Sequence, residues 1–467
     1  MLRIFGHFVP LPALALGLCE LLLLCAAFYL VNDPMAAAHL QLDVLPAQMA
    51  FGIAALALVA MTAVGLYHYD VFLDGRLMAI KVGAALLLVA PAAAAIGIVY
   101  SRAAAGSDID WAAWSLKASA AWVALVMATR AVFLRLFDSD LFRRPVLVIG
   151  TGVRARRIAE LVARGQNHSF AVRAYVHAAG DLRLVMGSGL DLDRSDDDYA
   201  LSRFVAETGA REVVVATDER RGMPVAQLLH CRIAGVSVVD YLTFWERATR
   251  KVELESLQPS WLIYSDGFRQ GMLVDAAKRA LDLAVSITLL VFVLPVLVAA
   301  LVAIKLDDGG PVFYRQERVG RFGRCFTLLK LRTMRLDAEC DGTPQWARNG
   351  DPRVTRVGIL LRRFRVDELP QLINVLEGRM SFVGPRPERP FFVDEIAKSV
   401  PFYRERHSVK PGITGWAQVN YPYGASLDDA RQKLGYDLYY VKNRTLFLDV
   451  LIVLQTVRVI LFHEGAR

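Results

Sequence analysis

Between Leu283 and Ile304 the chain reads LAVSITLLVFVLPVLVAALVAI, an uncharged apolar run with Pro295 near its middle. A run of this length is long enough to cross a bilayer. Both of its flanks are basic, with Lys278 and Arg279 before it and Lys305, Arg315, Arg318, Arg321 and Arg324 after it. A true span would strand one basic flank outside, against the positive-inside bias. A proline within a helix removes a backbone hydrogen bond and bends the helix. A helix–break–helix hairpin over residues 280–305 that enters and leaves by one face satisfies both facts; a proline-kinked span satisfies only the second. With re-entry, everything after Lys305 stays on the cytoplasmic side and lies against the inner leaflet.

Four earlier apolar runs, Leu11–Val31, Ala47–Tyr67, Leu77–Tyr100 and Trp111–Leu134, predict an α-helical membrane region, a four-helix bundle over residues 1–144. Lys81 and Lys117 stand near the starts of the third and fourth runs, where a lysine snorkels to the interface. Arg130 stands near the end of the fourth run and Arg135, Arg143 and Arg144 follow it, while 32–46 has no Lys or Arg, so both ends of the region are expected in the cytoplasm. The first run carries Glu20 and is followed by further apolar segments, so it reads as a retained membrane helix rather than a removed signal. Glu20 itself is either buried against another helix or functional.

From Pro145 the texture changes. Strands are expected at Val146–Gly150, Arg173–Val176, Glu212–Thr217 and Val236–Tyr241, with helices at Arg156–Arg164, Leu201–Thr208 and Val225–Ala234. That alternation predicts a small Rossmann-like parallel α/β unit over residues 145–266. Gly150-Thr-Gly152-Val-Arg-Ala155 follows the first strand and has the form of a dinucleotide fingerprint, but no acidic residue ends the second strand. The glycines serve either a nucleotide or plain packing. The acidic stretch Asp191–Asp198 reads as a solvated loop.

The third part, residues 267–467, holds the chemistry and reads as mainly helical. From Arg365 to Pro390 it runs RVDELPQLINVLEGRMSFVGPRPERP, placing Asp367 and Glu368 among Arg362, Arg363, Arg365, Arg379, Arg386 and Arg389. Arginines hold an anionic substrate, and a carboxylate among them can bind a metal or attack phosphorus. Between Lys305 and Lys410 there are 21 Lys and Arg against 14 Asp and Glu, an excess that suits anionic lipid or a polyanionic substrate. Asp367 to Gly378 reads as a short helix with Asp367 as its N-cap, Pro370 in the first turn and Gly378 as the stop. An N-cap carboxylate faces the positive end of the helix dipole and is held ionised. The five cysteines form no CxxC and the eight histidines no HExxH, which argues against a disulfide framework and a His- or Cys-ligated metal. Mg²⁺ suits a site offering one or two carboxylates plus substrate oxygens, here Asp367 and Glu368.

Around the dyad stand Arg315-Gln-Glu-Arg318-Val-Gly320, Lys330-Leu-Arg332-Thr-Met334, Asp351-Pro-Arg353-Val-Thr355, Gly384-Pro-Arg386-Pro-Glu388 and Lys410-Pro-Gly-Ile-Thr-Gly-Trp416. In combination these resemble the bacterial sugar transferases, the polyprenyl-phosphate hexose-1-phosphate transferases or monotopic phosphoglycosyl transferases. The α/β unit is similar to the accessory domain of the family's large members, which implies an accessory role and allows a homodimer. The resemblance implies transfer of sugar-1-phosphate from a UDP-sugar, UDP-glucose or UDP-galactose first, to undecaprenyl phosphate with release of UMP. It implies a bacterial inner-membrane enzyme that opens exopolysaccharide or O-antigen repeat units, assisted by Mg²⁺, with no nucleic-acid partner. It makes Asp367 the nucleophile and a metal ligand, Glu368 a metal or positioning partner, and Arg386 a phosphate or nucleotide contact. Arg315, Arg318, Lys330, Arg332, Asp351 and Arg353 match further positions that bind substrate. The family's re-entrant helix breaks at a Ser-Pro pair; here Leu294 precedes Pro295.

Leu446–Phe462 is apolar but interrupted by Asp449, Gln455 and Arg458, and is expected to lie in the interface rather than to span. Tyr421, Tyr423, Tyr436, Tyr439 and Tyr440 before it either sit at headgroup level or pack. Two rival functions stand beside the transferase. An NAD-dependent nucleotide-sugar dehydratase or epimerase needs a Tyr-x-x-x-Lys pair, and the α/β unit offers only Tyr199 with Arg203. A catalytically silent membrane scaffold leaves the dyad and Arg386 unexplained.

Overall fold

The apolar runs fold as helices. The computed structural model describes residues 2–4, 7–9, 11–30, 47–67, 71, 74–103, 111–137, 143–164, 170–178, 181–187, 197–219, 223–268, 271–335, 338, 351–422, 424 and 426–462. Short strands β1 (Leu2–Ile4) and β2 (His7–Val9) precede α1 (Leu11–Leu30), α2 (Ala47–Ala63), α3 (Gly75–Ala103) and α4 (Trp111–Phe137). Among the described residues three helices are long and apolar enough to cross a membrane: Gly75–Ile96 within α3, Leu116–Phe133 within α4, and Met272–Asp307 further on. α1 and α2 are apolar but shorter.

The chain divides into two compact units, one holding most residues up to Leu257 and the other Gln258 onward with small pieces at residues 5–7 and 61–66. In the first unit Glu20 is fully buried. Its carboxylate accepts from Tyr67 Oη at 2.6 Å and from Thr129 Oγ1 at 3.2 Å, and pairs with Arg130 Nε at 3.2 Å. Of the two readings open for Glu20, this geometry is the buried one, pinning α1 to α4. Glu20→Ala leaves the buried Arg130 guanidinium without its carboxylate, and a loss of about 3–5 kcal/mol is expected. A lowered thermal midpoint of the detergent-solubilised protein checks it; an unchanged midpoint removes the pin.

The α/β part follows the expected alternation. β3 (Arg144–Ile149), α5 (Val153–Ala163), β4 (Phe170–Val176), α6 (Ala200–Thr208), β5 (Glu212–Val215), α7 (Val225–Ile233) and β6 (Ser237–Asp240) build a parallel sheet in the order β4-β3-β5-β6. Val146 to Ile149 are wholly buried, as a central parallel strand covered on both faces requires. Most of the acidic stretch 191–198 lies outside the described residues.

The second unit opens, after α8 (Tyr241–Thr249) of the first, with α9 (Pro259–Tyr264) and α10 (Met272–Asp308). Here the structure departs from the expected helix–break–helix: α10 is one helical element with Pro295 inside it. A single proline removes the one N–H that would reach Val291, and the flanking turns stay helical, so the chain has a site for bending rather than a break. There follow β7 (Phe313–Val319), β8 (Cys325–Leu331), α11 (Arg356–Arg363), α12 (Gln371–Leu376), β9 (Ser381–Val383), α13 (Pro390–Ser399), β10 (Gly412–Thr414), α14 (Trp416–Asn420), α15 (Leu427–Lys442) and α16 (Leu446–Phe462). The polar interruptions of α16 point inward. Asp449 pairs with Lys278 at 2.9 Å, Arg458 donates to the Val419 carbonyl at 2.8 Å, and Gln455 is buried, while Val450, Ile460 and Leu461 are exposed. Tyr439 and Tyr440 pack in the core, and Tyr439 Oη meets Nδ1 of the buried His7 at 2.9 Å. Tyr423 lies outside the described residues.

Candidate active site

The floor of the site is the β7–β8 hairpin. Tyr314 stands opposite Lys330 and Arg318 opposite Phe326 in an antiparallel ladder. Side chains alternate along a strand, so Tyr314, Gln316, Arg318 and Lys330 share one face while Arg315 takes the other. Asn374 ties α12 to the edge of β8, accepting from Leu329 N at 2.9 Å and donating to the Thr327 carbonyl at 3.0 Å. Val319 N donates to the Glu388 carbonyl at 2.9 Å, which draws the Gly384–Pro390 segment alongside the hairpin.

The dyad sits on a tight reversal. α11 ends at Arg363, and Arg365 takes the left-handed backbone region at φ 53°, a strained choice for a residue with a side chain. Val366–Glu368 then forms a single 3₁₀ turn, and α12 starts only at Gln371, with Pro370 as its cap. Asp367 is therefore not the N-cap that the sequence suggested. Glu368 N bonds back to the Arg365 carbonyl and Leu369 N to the Val366 carbonyl, and Pro370 has no N–H with which to continue. Gly378 stops the helix as expected, at φ 80°.

The two carboxylates have opposite surroundings. Glu368 Oε1 accepts from Lys330 Nζ at 3.1 Å and from Arg386 at 2.5 Å, and Oε2 lies 3.7 Å from Arg365. Burial alone would raise Glu368, but Arg386 and Lys330 hold it well below the usual carboxylate range. Asp367 is buried, and among the described residues no hydrogen bond or ion pair reaches its carboxylate. Burial first, then the charge of Glu368, pushes Asp367 up to about 6, against the pull of Lys330, Arg362 and Arg386. Burial in the turn thus overturns the expected dipole effect. The pair offers one carboxylate locked among cations and one left open.

Arg386 is positioned from behind. Its carbonyl accepts from Arg406 NH2 at 3.0 Å, and Arg406 is paired with Asp437 at 2.7 Å, both buried. Gly384, Gly412 and Gly415 allow the Gly-Pro-Arg-Pro turn to lie on the Lys410–Trp416 segment: Gly384 N donates to the Thr414 carbonyl at 2.8 Å and Gly412 N to the Pro385 carbonyl at 2.9 Å. Arg318 joins the group through Glu388 at 3.7 Å. Burial lowers its guanidinium, and the charges of Arg386 and Arg389 work in the same direction, against Glu388.

Other expected residues show other surroundings. Arg315 is exposed on the far face of the hairpin. Arg332 is buried against Gly310. Asp351 and Arg353 satisfy each other in a bidentate pair at 2.6 and 2.8 Å. Arg379 is half exposed beside Glu377. Sequence reasoning missed Asn374, Arg406 and Asp437 as supports; the one available signal was an acid, Asp437, within the apolar stretch Leu434–Val441.

Among the described residues no group of three or more His, Cys, Asp or Glu side chains is arranged to hold an ion. Glu368, expected as a metal ligand, has Oε1 taken up by two cations. Asp367 remains as the open carboxylate, a donor set that fits Mg²⁺ shared with substrate phosphates rather than an all-protein cage.

The sequence pattern of the family described as bacterial sugar transferase matches residues 273–463. A UDP-N-acetylgalactosamine-undecaprenyl-phosphate N-acetylgalactosaminephosphotransferase of Aeromonas hydrophila is 42% identical over 51% of this chain and 56% of its own length. A UDP-glucose:undecaprenyl-phosphate glucose-1-phosphate transferase of Xanthomonas campestris is 43% identical over 39% of each chain. An exopolysaccharide production protein of Rhizobium leguminosarum is 42% identical over 38% of this chain and 92% of its own. The chain thus matches about half or less of the first two relatives and nearly all of the third.

Proposed function

This chain belongs to the bacterial sugar transferase family, and from that premise and the geometry of the dyad we propose that it moves a hexose-1-phosphate from a UDP-hexose to undecaprenyl phosphate, releasing UMP. The observation that carries the reading is the asymmetry of the pair: Asp367 open, Glu368 held by Lys330 and Arg386. Asp367 attacks the β-phosphorus of the donor; the new oxygen–phosphorus bond forms as the bond to the UMP oxygen breaks. An oxygen of the lipid phosphate then attacks the same phosphorus, the bond to Asp367 breaks, and the free carboxylate returns. Arg386 and Lys330 stabilise the negative charge spread over the transferring group, and Glu368 orients both of them. Asp367 would hold Mg²⁺, which supplies charge neutralisation on the donor's phosphates.

The reading places the unit on the cytoplasmic side, with α1–α4 as its membrane region and α10 as a re-entrant helix. Support comes from α10 itself. Its 37 residues amount to about 55 Å of helix, against a hydrocarbon core of about 30 Å. Near its start, Arg279 donates to the carbonyls of Val375 and Leu376 at 2.6 and 2.8 Å. Towards its end, Leu297, Ala300 and Ile304 pack with Leu331, Leu361, Val366 and Leu369. Both parts of the helix therefore rest on the same unit, and Val291, Phe292, Leu294 and Val296 between them are exposed.

The test is UMP release by purified membranes given UDP-glucose, UDP-galactose or UDP-N-acetylgalactosamine, with and without chelator. Metal-dependent release from at least one donor is expected, and Arg386→Ala is expected to lower kcat/KM about 10²–10³-fold. No release from any donor, with undecaprenyl phosphate present, refutes the reading.

A further inference from the structure

The glycine loop of the α/β part is a motif that phosphoryl transfer does not use. It joins β3 to α5 at the carboxyl end of the sheet, where the strand order runs outward to β4 on one side and β5 on the other. Open α/β sheets take ligands at such a switch point, with a phosphate on the amides that open the helix.

Here those amides already have anions. Val153 N and Arg154 N donate to the two carboxylate oxygens of Asp218 at 2.7 and 3.1 Å. Thr151 N donates to Asp181 Oδ2 at 3.0 Å, and Asp218 N to Asp181 Oδ1 at 2.9 Å. A Cβ on Gly152 would run into the Asp218 carboxylate. A Cβ on Gly150 would come within 2.6 Å of the Ala216 carbonyl and 2.9 Å of Asp181 Oδ2. Gly152 therefore makes room for Asp218, and Gly150 for the Ala216 carbonyl and Asp181. His177 follows β4, where a dinucleotide site places an acid for the ribose. Its Nδ1 is 2.7 Å from Thr151 Oγ1, so it faces the loop. Arg154 is turned the same way, donating to the Thr217 carbonyl at 2.8 Å.

We infer that this unit carries a phosphate cradle filled by its own Asp218 carboxylate, which locks β5 to the start of α5 and excludes nucleotide from the loop. The fingerprint survives as geometry, and its ligand is a side chain. The cradle is still built for an anion: remove the carboxylate, and an external phosphate has the same two amides to meet.

Hydrogen exchange at residues 151–154 of the full chain in lipid nanodiscs tests this. In the native chain, exchange there is expected to be unchanged by UDP-glucose, by NADH and by inorganic pyrophosphate. Slowing of those amides by any of the three overturns the inference, and this arm stands whether or not a variant folds. In Asp218→Gly, exchange at Val153 and Arg154 is expected to rise about tenfold or more while β3 stays protected, and pyrophosphate is expected to slow it again. Failure of pyrophosphate to protect the opened loop, with β3 intact, overturns the assignment of the cradle.

Discussion

An Asp367→Asn chain is expected to release no UMP above background from any UDP-hexose, a loss of at least about 10³-fold, and yet to melt at a higher temperature than the native chain. The two effects have one origin. The carboxylate is buried, no described residue gives it a hydrogen bond, and burial together with Glu368 pushes it up to about 6. An acid whose folded-state value lies above its ordinary 3.8 binds its proton more tightly in the fold. Its contribution to stability is complete below pH 3.8 and is lost as the pH climbs through about 6. At neutral pH the native chain therefore carries an ionised group that opposes folding, and asparagine, which cannot ionise, relieves it. A gain of roughly 1–3 kcal/mol is the scale, which appears as a few degrees in the melting midpoint. On the proposed mechanism the same titration governs the rate: Asp367 attacks only when deprotonated, so kcat/KM of the native chain is expected to rise with pH through about 6. UMP release that survives the substitution removes Asp367 from its role; a lower melting point removes the electrostatic account of the dyad.

What was legible in the chain follows the range of the physics. Apolar runs and strand–helix alternation are local, and α1–α4, β3–β6 and α16 lie where periodicity put them. The dyad was legible because two acids among many arginines have few structural excuses. Its turn was not. The 3₁₀ geometry depends on Arg365 adopting the left-handed region, and nothing in an arginine announces that. The N-cap reading failed at that point, and the ionisation argument failed with it. Partners across the chain were equally hidden. Glu20 was seen as an anomaly, but Arg130 lies too far along for spacing to connect them. In α16 the polar interruptions counted against a span, but their partners were hidden: Asp449 and Arg458 turn inward to Lys278 and the Val419 carbonyl.

The other large effect concerns a buried ion pair behind Arg386. Asp437→Ala is expected to destabilise the chain by about 3–5 kcal/mol, because it leaves Arg406 charged in the interior. Arg406 and Asp437 are 5% and 2% exposed, with nitrogen and oxygen 2.7 Å apart, and alanine offers nothing in exchange. Replacing both partners at once, as Arg406→Met with Asp437→Leu, is expected to restore most of that stability, since a buried ion pair exchanged for apolar side chains of similar volume is often neutral. Activity is expected to part company with stability in that double variant. Arg406 NH2 also donates to the Arg386 carbonyl at 3.0 Å, and methionine cannot, so the arginine that holds Glu368 loses its backbone anchor. A fall in kcat/KM of about tenfold or more, in a chain that melts near the native temperature, marks Arg406 as a positioning residue. Full activity in the stable double variant makes the pair purely structural. A double variant as unstable as Asp437→Ala places the loss in packing rather than in the stranded charge.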